Sequence, residues 1–197
     1  MAKKKSDEDV KSEIIKGARS LFMKYGYNKT TMEDIAKAAG KGKSTLYYYY
    51  PSKDDVMLEV LQSAADALFK VLKERLALFH TAKEKFQNYF IIGNEFVEKT
   101  VNLYQIMRSE LIDNYPIQKK LRAIYDDRDI QYIKSILVFG IENNEFTRIK
   151  PDDLDDLATI ISATNQTLIF TLFIEQEYEN WKKHTNLLFN VVMQGMI

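Results

Sequence analysis

Apolar residues recur along this chain at three- and four-residue intervals, the spacing of amphipathic helices rather than the alternation of strands. Val10, Ile14, Ala18, Leu21, Phe22 and Tyr25 predict a helix over 8–25 that Gly26 closes. A short helix follows, with Thr31 as N-cap, Asp34 three residues on, and Met32, Ile35, Ala36 and Ala39 as its buried stripe. Gly40 stands where a left-handed C-terminal residue is needed, and only Lys41 and Gly42 separate this helix from the next. That third helix starts near Lys43 and ends before Pro51, since the residue preceding a proline is pushed out of helical conformation. At roughly 100° per residue, Leu46 and Tyr50 fall on one side of it, while Ser44 and Tyr48 point the opposite way, flanked by Thr45 and Tyr47.

Ser52, with Asp55 three residues on, opens a long helix whose stripe runs through Val56, Val60, Leu61, Ala64, Leu68, Val71, Leu72 and Leu76. Further helices are expected over 82–99, 101–112, 117–141, 152–177 and 179–195. The expected breaks are Asn114-Tyr115-Pro116, Gly140 to Pro151 and the surroundings of Tyr178. The pattern therefore predicts an all-α fold: a three-helix head over 1–52 joined without a flexible linker to a helical body over 53–197. Helix, tight glycine turn, helix is the helix-turn-helix layout, in which the second helix enters the DNA major groove.

Charge distribution supports that assignment independently. Residues 1–53 carry 12 Lys+Arg against 6 Asp+Glu, and residues 54–197 carry 16 against 22, so the zero net charge is a cancellation of +6 by −6. A basic module joined to an acidic one suits a phosphate-binding head on a body that does not touch DNA. Lys3 to Lys5 precede the first helix and read either as solvated surface or as an arm.

The run Thr30-Thr31-Met32-Glu33-Asp34-Ile35-Ala36-Lys37-Ala38-Ala39-Gly40, followed by Lys43-Ser44-Thr45-Leu46-Tyr47-Tyr48-Tyr49-Tyr50-Pro51-Ser52-Lys53, resembles the DNA-binding segment of the TetR family of bacterial transcriptional regulators. The match fixes turn, Leu-Tyr pair, aromatic pair and closing lysine together. Lys41 and Gly42 stand where that family commonly has a valine and a serine, and Tyr50 where it has phenylalanine. The resemblance implies that Thr31 binds phosphate through its hydroxyl and amide and that Lys43 meets phosphate or a guanine edge, while Lys41, where the chain departs from the family, reads as an added phosphate contact that offsets the missing valine. It further implies that Ser44 and Thr45 approach bases, that Tyr47 and Tyr48 serve phosphates or thymine methyls, and that Lys53 holds a phosphate. Tyr50 reads instead as core, its hydroxyl reaching water or a partner at the core's edge, and Tyr49 reads either way.

For the body, the resemblance implies ligand binding and dimerisation. Leu157, Ile160, Ile161, Thr164, Leu168, Thr171 and Leu172, then Trp181, Leu188, Phe189, Val192 and Met196, give the last two helices more than one apolar face, one for the core and one for a symmetric homodimer. A pocket for an unknown, apolar or aromatic small molecule is expected among the aromatic residues between, with Tyr104, Met107, Arg108, Tyr132, Asn165 and Phe170 as its lining. Helix charge pairing explains Arg108 equally well, and ordinary core packing explains the aromatics.

The chain has no cysteine, which excludes disulfides, thiol catalysis and thiolate metal sites. His80 and His184 lie far apart without a serine and carboxylate arrangement, so no enzyme is expected. The acidic groups Asp126-Asp127-Asp129 and Asp152-Asp153-Asp155-Asp156 lack the glycine and glutamate of a calcium loop, and neither a metal nor a cofactor is expected. No run reaches membrane-span length and no apolar signal core follows the N-terminal lysines, which predicts a cytoplasmic protein. The leading expectation is a repressor released from a palindromic operator in double-stranded DNA by a small-molecule inducer. The alternative is a helical small-molecule carrier whose head has lost DNA binding.

Overall fold

The computed structural model describes the backbone of residues 6–111, 115–169 and 181–197, and within these all side chains except those of 100–118, 121–122 and 169. The described residues form eight α-helices: α1 (Asp7–Tyr25), α2 (Met32–Ala38), α3 (Lys43–Tyr49), α4 (Lys53–Leu76), α5 (Ala82–Leu111), α6 (Tyr115–Glu142), α7 (Leu154–Ile169) and α8 (Trp181–Met196). A 3-10 turn, Pro151–Asp153, leads into α7, placing acids at that helix opening where they favour the dipole.

The chain divides into two compact units. One is Met1–Ala65 with Asn102–Arg122, and the other is Asp66–Val101 with Ala123–Ile197. In the first unit Ile14, Ala18 and Phe22 of α1, Ile35 of α2, Leu46 of α3 and Val56, Met57 and Val60 of α4 are buried together. In the second, Phe69, Leu72 and Leu76 of α4 pack with Phe86 and Phe90 of α5, Ile133 and Leu137 of α6, Ile161 of α7 and Phe189 of α8.

Several expectations are corrected. Tyr25 is exposed, and the buried aromatic at the end of α1 is Tyr27, packed against Phe22 at 5.8 Å between ring centroids. The expected helices over 82–99 and 101–112 are one, α5, because nothing at residue 100 breaks the backbone ladder. Helix α6 runs through Gly140 to Glu142, two residues past the expected break. Gly140 is needed there because a Cβ would lie 2.1 Å from the buried Phe146 ring, whose own N–H donates back to the Gly140 carbonyl. The expected break near Tyr178 and the seam residues Thr171 and Leu172 lie outside the described residues.

Candidate nucleic-acid interface

The head is built from local capping and one close helix approach. At the start of α2 the Thr31 hydroxyl accepts from the Asp34 N–H at 3.2 Å, while the Thr31 amide and hydroxyl donate to the Asp34 carboxylate at 3.0 and 2.6 Å. This capping box holds the Asp34 carboxyl below the usual carboxylate range. Ser52 and Asp55 make the same reciprocal bonds at the start of α4. Helix α1 passes so near the end of α2 that a Cβ on Gly17 would meet the Ala39 nitrogen at 3.1 Å and the Ala38 carbonyl carbon at 3.2 Å.

The turn between α2 and α3 is a Schellman closure. Gly40 is left-handed at φ 64°, its N–H donates to the Lys37 carbonyl at 3.1 Å, and the Lys41 N–H donates to the Ala36 carbonyl at 2.9 Å. Gly42 is the extended N-cap of α3. Lys41 lies across this turn with its Nζ 2.7 Å from the Glu13 carboxylate on α1 and a side chain only 15 % exposed. An ion pair to α1 thus anchors the turn where an apolar residue would otherwise do so.

Rotation about α3 separates its residues as expected. Leu46 and Tyr50 are buried, whereas Lys43, Ser44, Tyr47 and Tyr48 are exposed and Thr45 is half-buried. Tyr48 is 79 % exposed, its ring edge-on to Tyr49 at 5.0 Å. Tyr49 donates its hydroxyl to Asp7 at 2.7 Å, which ties α3 to the start of α1 and raises the Tyr49 phenol. The Tyr50 hydroxyl is buried with no hydrogen-bond partner in the chain, and burial, then the nearby Glu59, pushes its phenol up to about 12.

The cations divide into two kinds. Lys43 is exposed and paired to Glu33, a contact that raises its ammonium and that salt readily screens. Lys53 turns inward: its Nζ donates to the carbonyl oxygens of Tyr27 at 2.8 Å and Thr30 at 3.0 Å and sits 4.1 Å from the centroid of the Tyr27 ring. The Tyr27 hydroxyl donates to Asp54, and burial followed by that carboxylate raises the phenol. Lys53, Tyr27 and Asp54 form a clasp binding the first turn of α4 to the segment that ends at Thr31. Sequence reasoning missed Lys29 and Lys37, which with Tyr25, Thr30 and Asp34 line a groove of 560 Å³ beside the α2 N-terminus. They sit on separate elements, so no local spacing joins them.

In the second unit Tyr132 and Asn165 are described, and the side chains of Tyr104, Met107, Arg108 and Phe170 lie outside the described residues. Tyr132 stacks on Tyr89 at 5.9 Å and lines an open cleft of 660 Å³ between α4 and α6, with Phe69 and Arg128. Asn165 is not in that cleft lining; it is buried on α7, its side-chain oxygen without a partner. Both histidines are exposed. Among the described residues no group of three His, Cys, Asp or Glu side chains is placed to hold a metal, and no helix is long and apolar enough to cross a membrane.

Residues 14–60 match the family described as "Bacterial regulatory proteins, tetR family". Over 192 residues the chain is 27 % identical to the HTH-type transcriptional regulator QacR of Staphylococcus aureus, covering 95 % of this chain and 98 % of that one. It is 26 % identical over 143 residues, 64 % of this chain and 74 % of the other, to the negative transcriptional regulator IcaR of the biofilm operon icaADBC in the same species. The fold is similar to that of FadR from Bacillus subtilis, solved in complex with stearoyl-CoA, with a TM-score of 0.75, 21 % identity, and coverage of 94 % of this chain and 99 % of that one.

Proposed function

We propose that this chain, a DNA-binding transcriptional regulator that belongs to the tetR family of bacterial regulatory proteins, is a dimeric repressor that a small molecule releases from a palindromic operator. The observation that carries the reading is the division of α3, with Leu46 and Tyr50 inside and Lys43, Ser44, Tyr47 and Tyr48 outside. A helix so divided docks on its own core and leaves hydroxyl, aromatic and cationic groups for groove and backbone. Thr31, Thr45 and Lys41 complete the contact set, Thr31 and Lys41 by exchanging Asp34 and Glu13 for phosphate.

Two heads are needed to read a palindrome, one per major-groove turn. Support for a second copy comes from α7 and α8, where Ile160, Leu187 and Val191 are each about three-fifths exposed although Trp181, Phe189, Met193 and Met196 of α8 are buried. The lever is α4, which has no glycine or proline between Lys53 and Leu76 and so can transmit a displacement without bending locally. Its work would be done in the cytoplasm, where the operator is.

Selection of duplexes from a random pool, followed by binding measurements from about 50 to 200 mM salt, tests this reading. A regulator recovers a two-fold symmetric site and loses affinity by orders of magnitude across that range. Recovery of no preferred sequence, or binding insensitive to salt, would leave the carrier reading instead.

A further inference from the structure

Outside α3 and its flanking lysines the head carries two further cations on one concave surface. Lys29 and Lys37 are exposed, and both line the groove of 560 Å³ between the end of α1 and the outer side of α2. Neither forms an ion pair with a described residue, whereas Lys41 is held by Glu13 and Lys43 by Glu33. The one acid lining the groove is Asp34. It is already held by the Thr31 hydroxyl and amide and, more weakly, by the charge of Lys37, so two cations face one engaged carboxylate. The groove is also fixed in shape. Lys29 sits on the segment between α1 and α2, where the Gly26 N–H donates to the Phe22 carbonyl at 3.0 Å and the buried Thr30 hydroxyl donates to the Gly26 carbonyl at 2.6 Å. Lys53 ties the same segment to α4 through the Tyr27 and Thr30 carbonyls. The close approach of Gly17 to Ala38 and Ala39 sets the spacing of α1 and α2. Backbone held in this way loses little freedom when a ligand arrives.

The position of the groove relative to α3 follows from helical rotation. Glu33 on α2 reaches Lys43 at the start of α3, and Lys37 lies one turn after Glu33 on the same face. Asp34 and Ala38, each one residue further round, turn toward α1 and line the groove. The outward surface of α2 therefore has α3 along one flank and the groove along the other, with Lys37 between them. Leu21, Ala38 and the exposed Tyr25 ring give the groove an apolar part that suits the C–H face of a deoxyribose. The two ammonium groups suit the phosphates on either side of that sugar.

We propose that this groove holds the sugar-phosphate backbone of an operator strand beside the major groove that α3 enters, with Lys29 and Lys37 each neutralising a phosphate. This rests on the reading of the head as a DNA-binding module and extends its contact surface beyond α3 to the outer flank of α2 and the segment before it.

The test measures fluorescence anisotropy of the full chain on a selected operator and on a random duplex from about 50 to 200 mM salt. It compares the parent with Lys29→Gln, Lys37→Gln and the double variant. Each phosphate contact adds about 0.9 to the slope of log affinity against log salt, so with two heads bound each single variant should be shallower by about 1.8 and the double variant by about 3.6. The double variant should then lose roughly 150-fold less affinity than the parent across that range. Its preference for operator over random duplex should be unchanged, since backbone contacts carry no sequence information. Lys29→Arg and Lys37→Arg should keep the parent's slope. So should Lys16→Gln, an equal change of charge at an exposed position of α1 that does not line the groove. An unchanged slope in the double variant, an equal change of slope in Lys16→Gln, or a loss of operator preference in the double variant each overturns the proposal. A parent that binds no duplex overturns the DNA-binding reading with it, whereas a parent that binds its operator while the double variant keeps the same slope sinks this inference alone.

Discussion

Replacing Lys53 with methionine keeps most of the aliphatic stem and removes the ammonium that donates to Tyr27 at 2.8 Å and Thr30 at 3.0 Å and lies over the Tyr27 ring. A hydrogen bond from a charged donor is worth about 1.5–3 kcal/mol, and solvent at this half-buried site reduces that. The head should therefore lose roughly 1–3 kcal/mol. A phosphate contact behaves differently, because each adds about 0.9 to the slope of log affinity against log salt. In a dimer two equivalent contacts make about 1.8, or roughly a twelvefold difference between about 50 and 200 mM salt. Fluorescence anisotropy on a labelled operator across that range, with thermal melts beside it, separates the two roles. Lys53→Met should melt lower and bind more weakly by the same factor at every salt concentration. Lys43→Met should melt as the parent does and show a slope shallower by about 1.8. A shallower slope and an unchanged melt for Lys53→Met would refute the clasp and restore the phosphate role that the resemblance implies.

Tyr50→Phe removes a buried hydroxyl without a partner and should leave the melt unchanged or raise stability by about 1 kcal/mol; a clear loss would reveal a bond to that oxygen. Gly17→Ala forces a Cβ against the backbone of Ala38 and Ala39 and should cost about 1–3 kcal/mol in denaturant unfolding, with operator affinity falling as α2 is pushed outward. Glu33→Gln releases Lys43 from an exposed pair and should raise operator affinity about two- to fourfold at low salt and hardly at all at high salt.

Legibility in the sequence followed the range of the interaction. The box of Thr31 and Asp34, that of Ser52 and Asp55, the left-handed Gly40 and the rotation that buries Leu46 and exposes Tyr48 involve residues at most four apart. Composition and spacing therefore reveal them. Lys41 and Lys53 look alike as lysines at the two ends of one motif. The first is claimed by Glu13, 28 residues earlier, and the second by carbonyls 26 and 23 residues earlier, so neither fate is written in its neighbourhood. The same holds for Asp129. In sequence it belongs to an acidic surface run, but Tyr89 and Ser162, 40 and 33 residues away, close over it.

By itself, then, the sequence determined the helices, their caps, the tight turn and the outward face of α3, because helical periodicity and capping chemistry are settled within one or two turns of chain. Only the tertiary structure decided that Lys41 and Lys53 are held by groups distant in sequence, that the Tyr50 hydroxyl is buried with no partner in the chain, and that Tyr89 and Ser162 converge on Asp129. Those outcomes depend on desolvation and on partners from distant helices, and desolvation is a property of the packed chain and not of any segment of it.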